Sequence, residues 1–291
     1  MRKTIIGLIL LAASVIVILL SLVTHGKTTT ATQDVLIGVG DSYVAGYQPL
    51  DPSGAATLHG FVDRLAPLLD ETQPPSVLNF GCSGATTKTV LETRGCTTGA
   101  QANNAPVYRT TQLDAAIAAV SAHRGHISAI VVALGANDFA RCANDPNLDA
   151  CISTQAPVIE GRLRQIVMQL RQTAGSSTPI IGITYPNIGL AAWLNQPPRR
   201  ADAVHAQELI ATYINPAILS AYRGLALVAN VTAASGGLDP LPVSIEGERP
   251  ASVTKVCEIT WMCRQGDLHL TPAGQDFVAR LISLRIKDGR G

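Results

Sequence analysis

Four short segments place reactive side chains among turn-forming residues: Gly40-Asp41-Ser42, Ser83-Gly84-Ala85-Thr86, Gly135-Ala136-Asn137-Asp138 and Asp267-Leu268-His269. A serine on a tight turn can present its hydroxyl as a nucleophile and its own N–H to a developing oxyanion. A glycine lets backbone approach a ligand closely. An asparagine amide adds a side-chain N–H donor. A histidine with a carboxylate nearby can take a proton and return it. A nucleophile, two kinds of oxyanion donor and a base are the parts that acyl transfer needs. Taken singly each segment is weak, because Gly, Asp and Ser are common turn formers. Likewise a lone histidine before a helix more often bonds to backbone than does chemistry.

Placement is what gives the four segments weight. Short apolar runs rich in Val and Ile predict strands over 35–39, 77–80, 127–134, 179–184 and 225–229, the pattern of strands buried on both faces. Between them the spacing predicts helices over 59–70, 111–123, 157–174 and 201–222, and a last one over 272–286 with Thr271 as N-cap and Pro272 at the first helical position. In the third of these, Val158, Leu163, Ile166, Val167 and Leu170 share one stripe, leaving Arg162, Arg164 and Arg171 for solvent. Residues 236–262 carry Pro and Gly without periodicity and read as a long excursion. Alternation of this kind implies one doubly wound α/β domain with a parallel sheet, whose ligands sit outside the carboxyl ends of the strands. The first three segments follow three successive predicted strands, and the fourth precedes the last helix.

The chain has 291 residues with net charge +1 and 47% hydrophobic content. That is ample for a core, and the charge gives no global field for nucleic acid or an anionic surface. Residues 5–23 lack any charge and follow Met-Arg-Lys. As a helix they reach about 28 Å, near a bilayer's hydrocarbon thickness. They read as an uncleaved signal anchor or a signal peptide, with residues 1–4 cytoplasmic, 24–33 a polar linker and 34–291 an exported domain. Six cysteines admit many pairings. Proximity in an exported chain favours Cys82–Cys96, Cys142–Cys151 and Cys257–Cys263, while a metal site is the alternative without any clustered His to support it. Neither a metal nor an organic cofactor is expected. His123 and His126 read as cations at a helix end, Asp138 as a brace for its own turn, and Arg199-Arg200 as a solvated helix start. Tyr43, Tyr47, Phe139 and Trp193 read chiefly as core, with Trp193 the best placed to line a pocket.

With these residues in place, the sequence resembles the SGNH (GDSL-type) hydrolase superfamily over most of residues 35–286, and its secreted actinobacterial lipases and esterases in particular. The resemblance implies a flavodoxin-like three-layer α/β/α fold with five parallel strands. It implies Ser42 as nucleophile, His269 as base, and an oxyanion hole of the Ser42 and Gly84 N–H groups and the Asn137 amide. The family usually places an Asp three residues before the His; that position here is Gly266, and Asp267 stands two before. Either the Asp267 side chain orients the imidazole or the Gly266 carbonyl does. The expected activity is that of an exported serine esterase/lipase, monomeric, acting on a small-molecule or lipid ester and held at the membrane by residues 5–23 or secreted. A carbohydrate O-acetyl esterase or acyltransferase is the alternative on the same residues, and a silent surface-binding protein is a third. Acyl-chain length and leaving group depend on the loops 48–58, 95–108, 188–198 and 236–262, which carry no signature of their own.

Overall fold

Val- and Ile-rich runs bury both faces of a central sheet. The computed structural model describes residues 33–289 apart from 50–56, 58, 98, 104, 196 and 242–248. The strands are β1 (Val35–Gly40), β2 (Ser76–Asn79), β3 (Ile127–Ala133), β4 (Ile180–Ile183) and β5 (Leu227–Ala229). All pair in parallel, in the order β2-β1-β3-β4-β5. The order reverses at β1, so the crevice between the carboxyl ends of β1 and β3 is the natural ligand position.

Helices cover both faces. In chain order they are α1 (Ser42–Ala45), α2 (Phe61–Leu69), α3 (Thr87–Glu92), α4 (Gln112–Ala122), α5 (Ala136–Ala140), α6 (Leu148–Ala174) and α7 (Arg200–Leu209). There follow α8 (Asn215–Tyr222), α9 (Val231–Ala234), α10 (Ala251–Ile259), α11 (Met262–Gln265) and α12 (Pro272–Asp288). Alternate strand residues feed two cores. Ile37, Val39, Ile130 and Val132 pack with Leu113, Leu163, Ile166 and Tyr222. Leu36, Val131, Ile181 and Ile183 pack with Phe61, Leu65, Val278 and Ile282 on the opposite face. Gly182 is required on β4, since a Cβ there would lie 2.2 Å from the Tyr222 ring.

Several elements depart from the sequence-based expectation. The α6 helix begins nine residues before Pro157, because Asn147 accepts from the Ala150 N–H at 3.1 Å and caps it there. Val158 is 41% exposed, off the buried stripe. Arg171 is half-buried and donates to the carbonyls of Leu225, Gly175 and Thr178 rather than to water. Between α7 and α8 the helix runs on through a π-helical turn, Ile210–Ile214. The 236–262 excursion contains α10 and the first residue of α11.

The cysteines are joined as Cys82–Cys96, Cys142–Cys151 and Cys257–Cys263. Such bridges persist in oxidising, extracytoplasmic settings. Residues 5–23, read as an anchor or signal, lie outside the described residues; among the described residues no helix is long and apolar enough to cross a membrane.

Candidate active site

The turn after β1 is fixed from every side. A Cβ on Gly40 would lie 2.3 Å from the Ala133 carbonyl oxygen, so only glycine lets β1 end this close to β3. The Asp41 N–H donates to that same carbonyl at 3.1 Å, and the Asp41 carboxylate caps α1 by accepting from the Tyr43 N–H at 2.9 Å. Ser42 is the first residue of α1 and is buried. Behind it, the Gln112 amide donates to the carbonyls of Gly40 and Phe80, lacing the ends of β1 and β2 together. Asn79 donates to the Val44 carbonyl at 2.8 Å.

The next two segments are bonded to each other. Gly84 adopts φ +81° with open space around it, and the flanking amides are spoken for: Ser83 N–H donates to Ala100 and Ala85 N–H to Cys82. The amides of Ser42 and Gly84 donate to no acceptor among the described residues. Asn137, on α5 after β3, donates to the Ala85 carbonyl at 2.9 Å, which leaves its second N–H available. Asp138 does not brace its own turn. Its carboxylate accepts from the Thr87 N–H at 2.9 Å and the Thr87 hydroxyl at 2.6 Å, holding the start of α3 against α5.

His269 lies between α11 and α12. One carboxylate oxygen of Asp267 accepts from the His269 backbone N–H at 2.8 Å and lies 2.8 Å from the ring Nδ1. No hydrogen bond joins the ring to Gly266, which instead closes α11 at φ +67°. A residue in that left-handed position is under strain unless it is glycine, so the carboxylate takes the following position. Burial pulls the His269 pKa below its ordinary value, and the bond to Asp267 opposes that shift.

Ser42 and His269 are not hydrogen bonded to each other among the described contacts; such bonds commonly tighten only when substrate binds. Their segments are nonetheless tied. The Tyr43 hydroxyl donates to the Leu268 carbonyl at 2.7 Å, and the Gln48 amide donates to the Leu270 carbonyl at 2.8 Å. The Tyr47 ring centroid lies 4.2 Å from that of the imidazole.

Tyr185 is a residue that the sequence reading passed over, although it follows β4 as directly as the other segments follow their strands. Its hydroxyl donates to Asp41 at 2.6 Å, and its ring meets Tyr43 edge-on at 5.0 Å. Asp41 is 1% exposed, and burial pushes its carboxyl up to about 7.

Beside this constellation opens a cavity of about 640 Å³. Tyr43, Asn137, Tyr185 and Leu268 are among its lining residues; aliphatic side chains line most of the rest. Phe139 also lines it, whereas Trp193 is buried among Leu190, Val253 and Val256 beneath the Arg200 guanidinium. Arg199, exposed at the start of α7 as expected, pairs with Asp202, and His205 pairs with Asp149; Arg199, Asp202 and His205 also line the cavity, while the Arg200 guanidinium lies over the Trp193 ring. His123 caps the end of α4, and His126 lies 3.5 Å from Asp34.

The sequence model of the GDSL-like lipase/acylhydrolase family matches residues 39–277. No curated protein matches the sequence. Among solved structures, the chain is similar to the lipase Lip_vut3 from a goat rumen metagenome, with 12% identity, TM-score 0.50, and 87% of this chain and 97% of that one covered. It is also similar to phospholipase A1 from Streptomyces albidoflavus NA297, with 19% identity, TM-score 0.48, and 87% and 98% covered. A carbohydrate acetylesterase family member from Sinorhizobium meliloti gives 15% identity, TM-score 0.46, and 88% and 98%.

Proposed function

Since the chain belongs to the GDSL-like lipase/acylhydrolase family and is a carboxylic ester hydrolase, we propose that it works through Ser42, His269 and Asp267 as nucleophile, base and orienting carboxylate. His269 takes the Ser42 proton as the serine oxygen attacks the ester carbonyl. The oxyanion is held by the Ser42 and Gly84 N–H groups and the free N–H of Asn137. Loss of one such donor typically costs about 2.7–4 kcal/mol of barrier. The alcohol leaves with the proton that His269 returns. Water, deprotonated by the same imidazole, then attacks the acyl-enzyme, and the acid departs with Ser42 restored.

The observation that carries this reading is the Asp267 oxygen 2.8 Å from the His269 Nδ1, which fixes the tautomer whose Nε2 is the proton acceptor. The three disulfides and the apolar run at 5–23 support export, with that run as anchor or cleaved signal. Substrate is thus an acyl ester met outside the cytoplasm.

The test is hydrolysis of p-nitrophenyl esters by the full chain, oxidised, beside labelling by a serine-directed fluorophosphonate. Wild type is expected to turn over and to be labelled, and Ser42→Ala to do neither. Turnover by Ser42→Ala at a tenth of the wild-type rate or more would sink the assignment.

A further inference from the structure

Resting on that reading, the cavity narrows the substrate class. Its lining includes sequence neighbours of the proposed machinery: Tyr43 follows Ser42, Leu268 precedes His269, and Asn137 is itself part of the lining. An acyl group on Ser42 therefore has this space beside it.

The space is far larger than an acetyl group requires. A volume of about 640 Å³ corresponds to roughly 20 water-sized groups, whereas acetyl brings two carbons. The walls also choose a ligand chemistry. Ile210 and Ile214 come from the π-helical turn and are half-buried, in a protein whose other large aliphatics are mostly sealed in the two cores. Their open faces line this cavity. Irregular turns of this kind recur at functional sites. Several polar groups on the walls are bonded to protein. The Thr232 hydroxyl is bonded to Asn215 and to the Tyr185 carbonyl, and Arg199 pairs with Asp202 and His205 with Asp149. Most of the lining offers a sugar no bonds in exchange for its water, while a hydrocarbon chain meets aliphatic wall.

We propose that the cavity binds the acyl chain of an ester of about eight to sixteen carbons, and that Ile210 and Ile214 set the preferred length. The chemistry is unchanged: the acyl C–O bond breaks, water supplies hydroxyl to the acyl carbon and a proton to the alcohol.

The experiment compares kcat/KM for monomeric p-nitrophenyl acetate, butyrate, octanoate and dodecanoate with the full chain. Each buried methylene is expected to raise kcat/KM by two- to fourfold, so octanoate should exceed acetate by at least about fiftyfold. Ile214→Trp fills the cavity from one wall and Ala140→Phe from another, and Ala140 is exposed. In each, the dodecanoate-to-acetate ratio is expected to fall more than tenfold. Ser42-dependent hydrolysis in which acetate equals or exceeds octanoate would overturn the acyl-pocket assignment while leaving the hydrolase reading intact. So would ratios within twofold of wild type in both variants. Absence of Ser42-dependent turnover on every ester would remove the hydrolase reading and this inference with it.

Discussion

Replacing Asp267 by Asn removes one charge with little change of shape. In the structure a single Asp267 oxygen serves both the His269 backbone N–H and the Nδ1, and an Asn carbonyl can accept from both. What Asn lacks is the charge that faces the imidazolium once His269 holds the Ser42 proton. At 2.8 Å and an effective dielectric of about 20, that attraction is about 6 kcal/mol. The two side chains keep 15% and 26% exposure, so water and local relaxation return part of it. A remaining ~3–5 kcal/mol corresponds to about 10²–10⁴ in rate. Asp267→Asn should therefore lose that much kcat/KM on any ester the wild type accepts. Asp267→Ala, which also releases the loop, should lose at least as much. The acid limb of the pH profile supplies a second readout. Burial lowers the His269 pKa and Asp267 raises it; without the carboxylate the pKa falls further. The limb in Asp267→Ala then moves to lower pH even as the plateau drops. A loss within tenfold, about 1.4 kcal/mol, with the limb unmoved would refute the assignment and return the orienting role to a main-chain carbonyl.

Two stability predictions follow from the turn after β1. Asp41 has its pKa raised from 3.8 to about 7 by burial, so the folded state holds the proton more tightly than the unfolded one. Its stabilisation is complete below about pH 4 and is lost as pH rises through 7, at most about 4 kcal/mol. Urea unfolding from pH 4 to 8.5 should show a shallower decline for Asp41→Asn; equal slopes would contradict the burial argument. Gly40→Ala drives a Cβ to 2.3 Å from the backbone oxygen of Ala133, which cannot retreat, and should cost more than about 3 kcal/mol or prevent folding. Gly84→Ala meets nothing within 4 Å and bears only the strain of φ +81°, about 1 kcal/mol. Thermal unfolding that ranks these two glycines the other way would refute the close-approach reasoning.

The five strands were legible because burial on both faces demands continuous Val and Ile; β1 and β3 lie within one residue of the expected ends. The helices were less so. Pro157 invited a helix start, but nothing in periodicity reveals that Asn147 caps one ten residues upstream. The π-turn is set by tertiary packing and leaves no mark in the spacing of apolar residues. At the site, local motifs named Ser42, Gly84, Asn137 and His269, whereas bonds between segments stayed hidden. Tyr185 bonds to Asp41 across 144 residues, and Asp138 bonds to Thr87 across 51. Such partners are chosen by strand order, which a one-dimensional pattern does not contain.

The Tyr43 bond to Leu268 spans 225 residues and that from Gln48 to Leu270 spans 222. A chain made from its N-terminus thus presents the Ser42 turn long before His269, its proposed base. The central strand β1 in turn waits for β3, some 90 residues later, before both its edges are paired. Contacts of such separation form late and slowly. On the proposed assignment, competence is the last property the nascent chain acquires, and fragments that stop short of residue 267 are expected to hydrolyse esters far more slowly than the full chain.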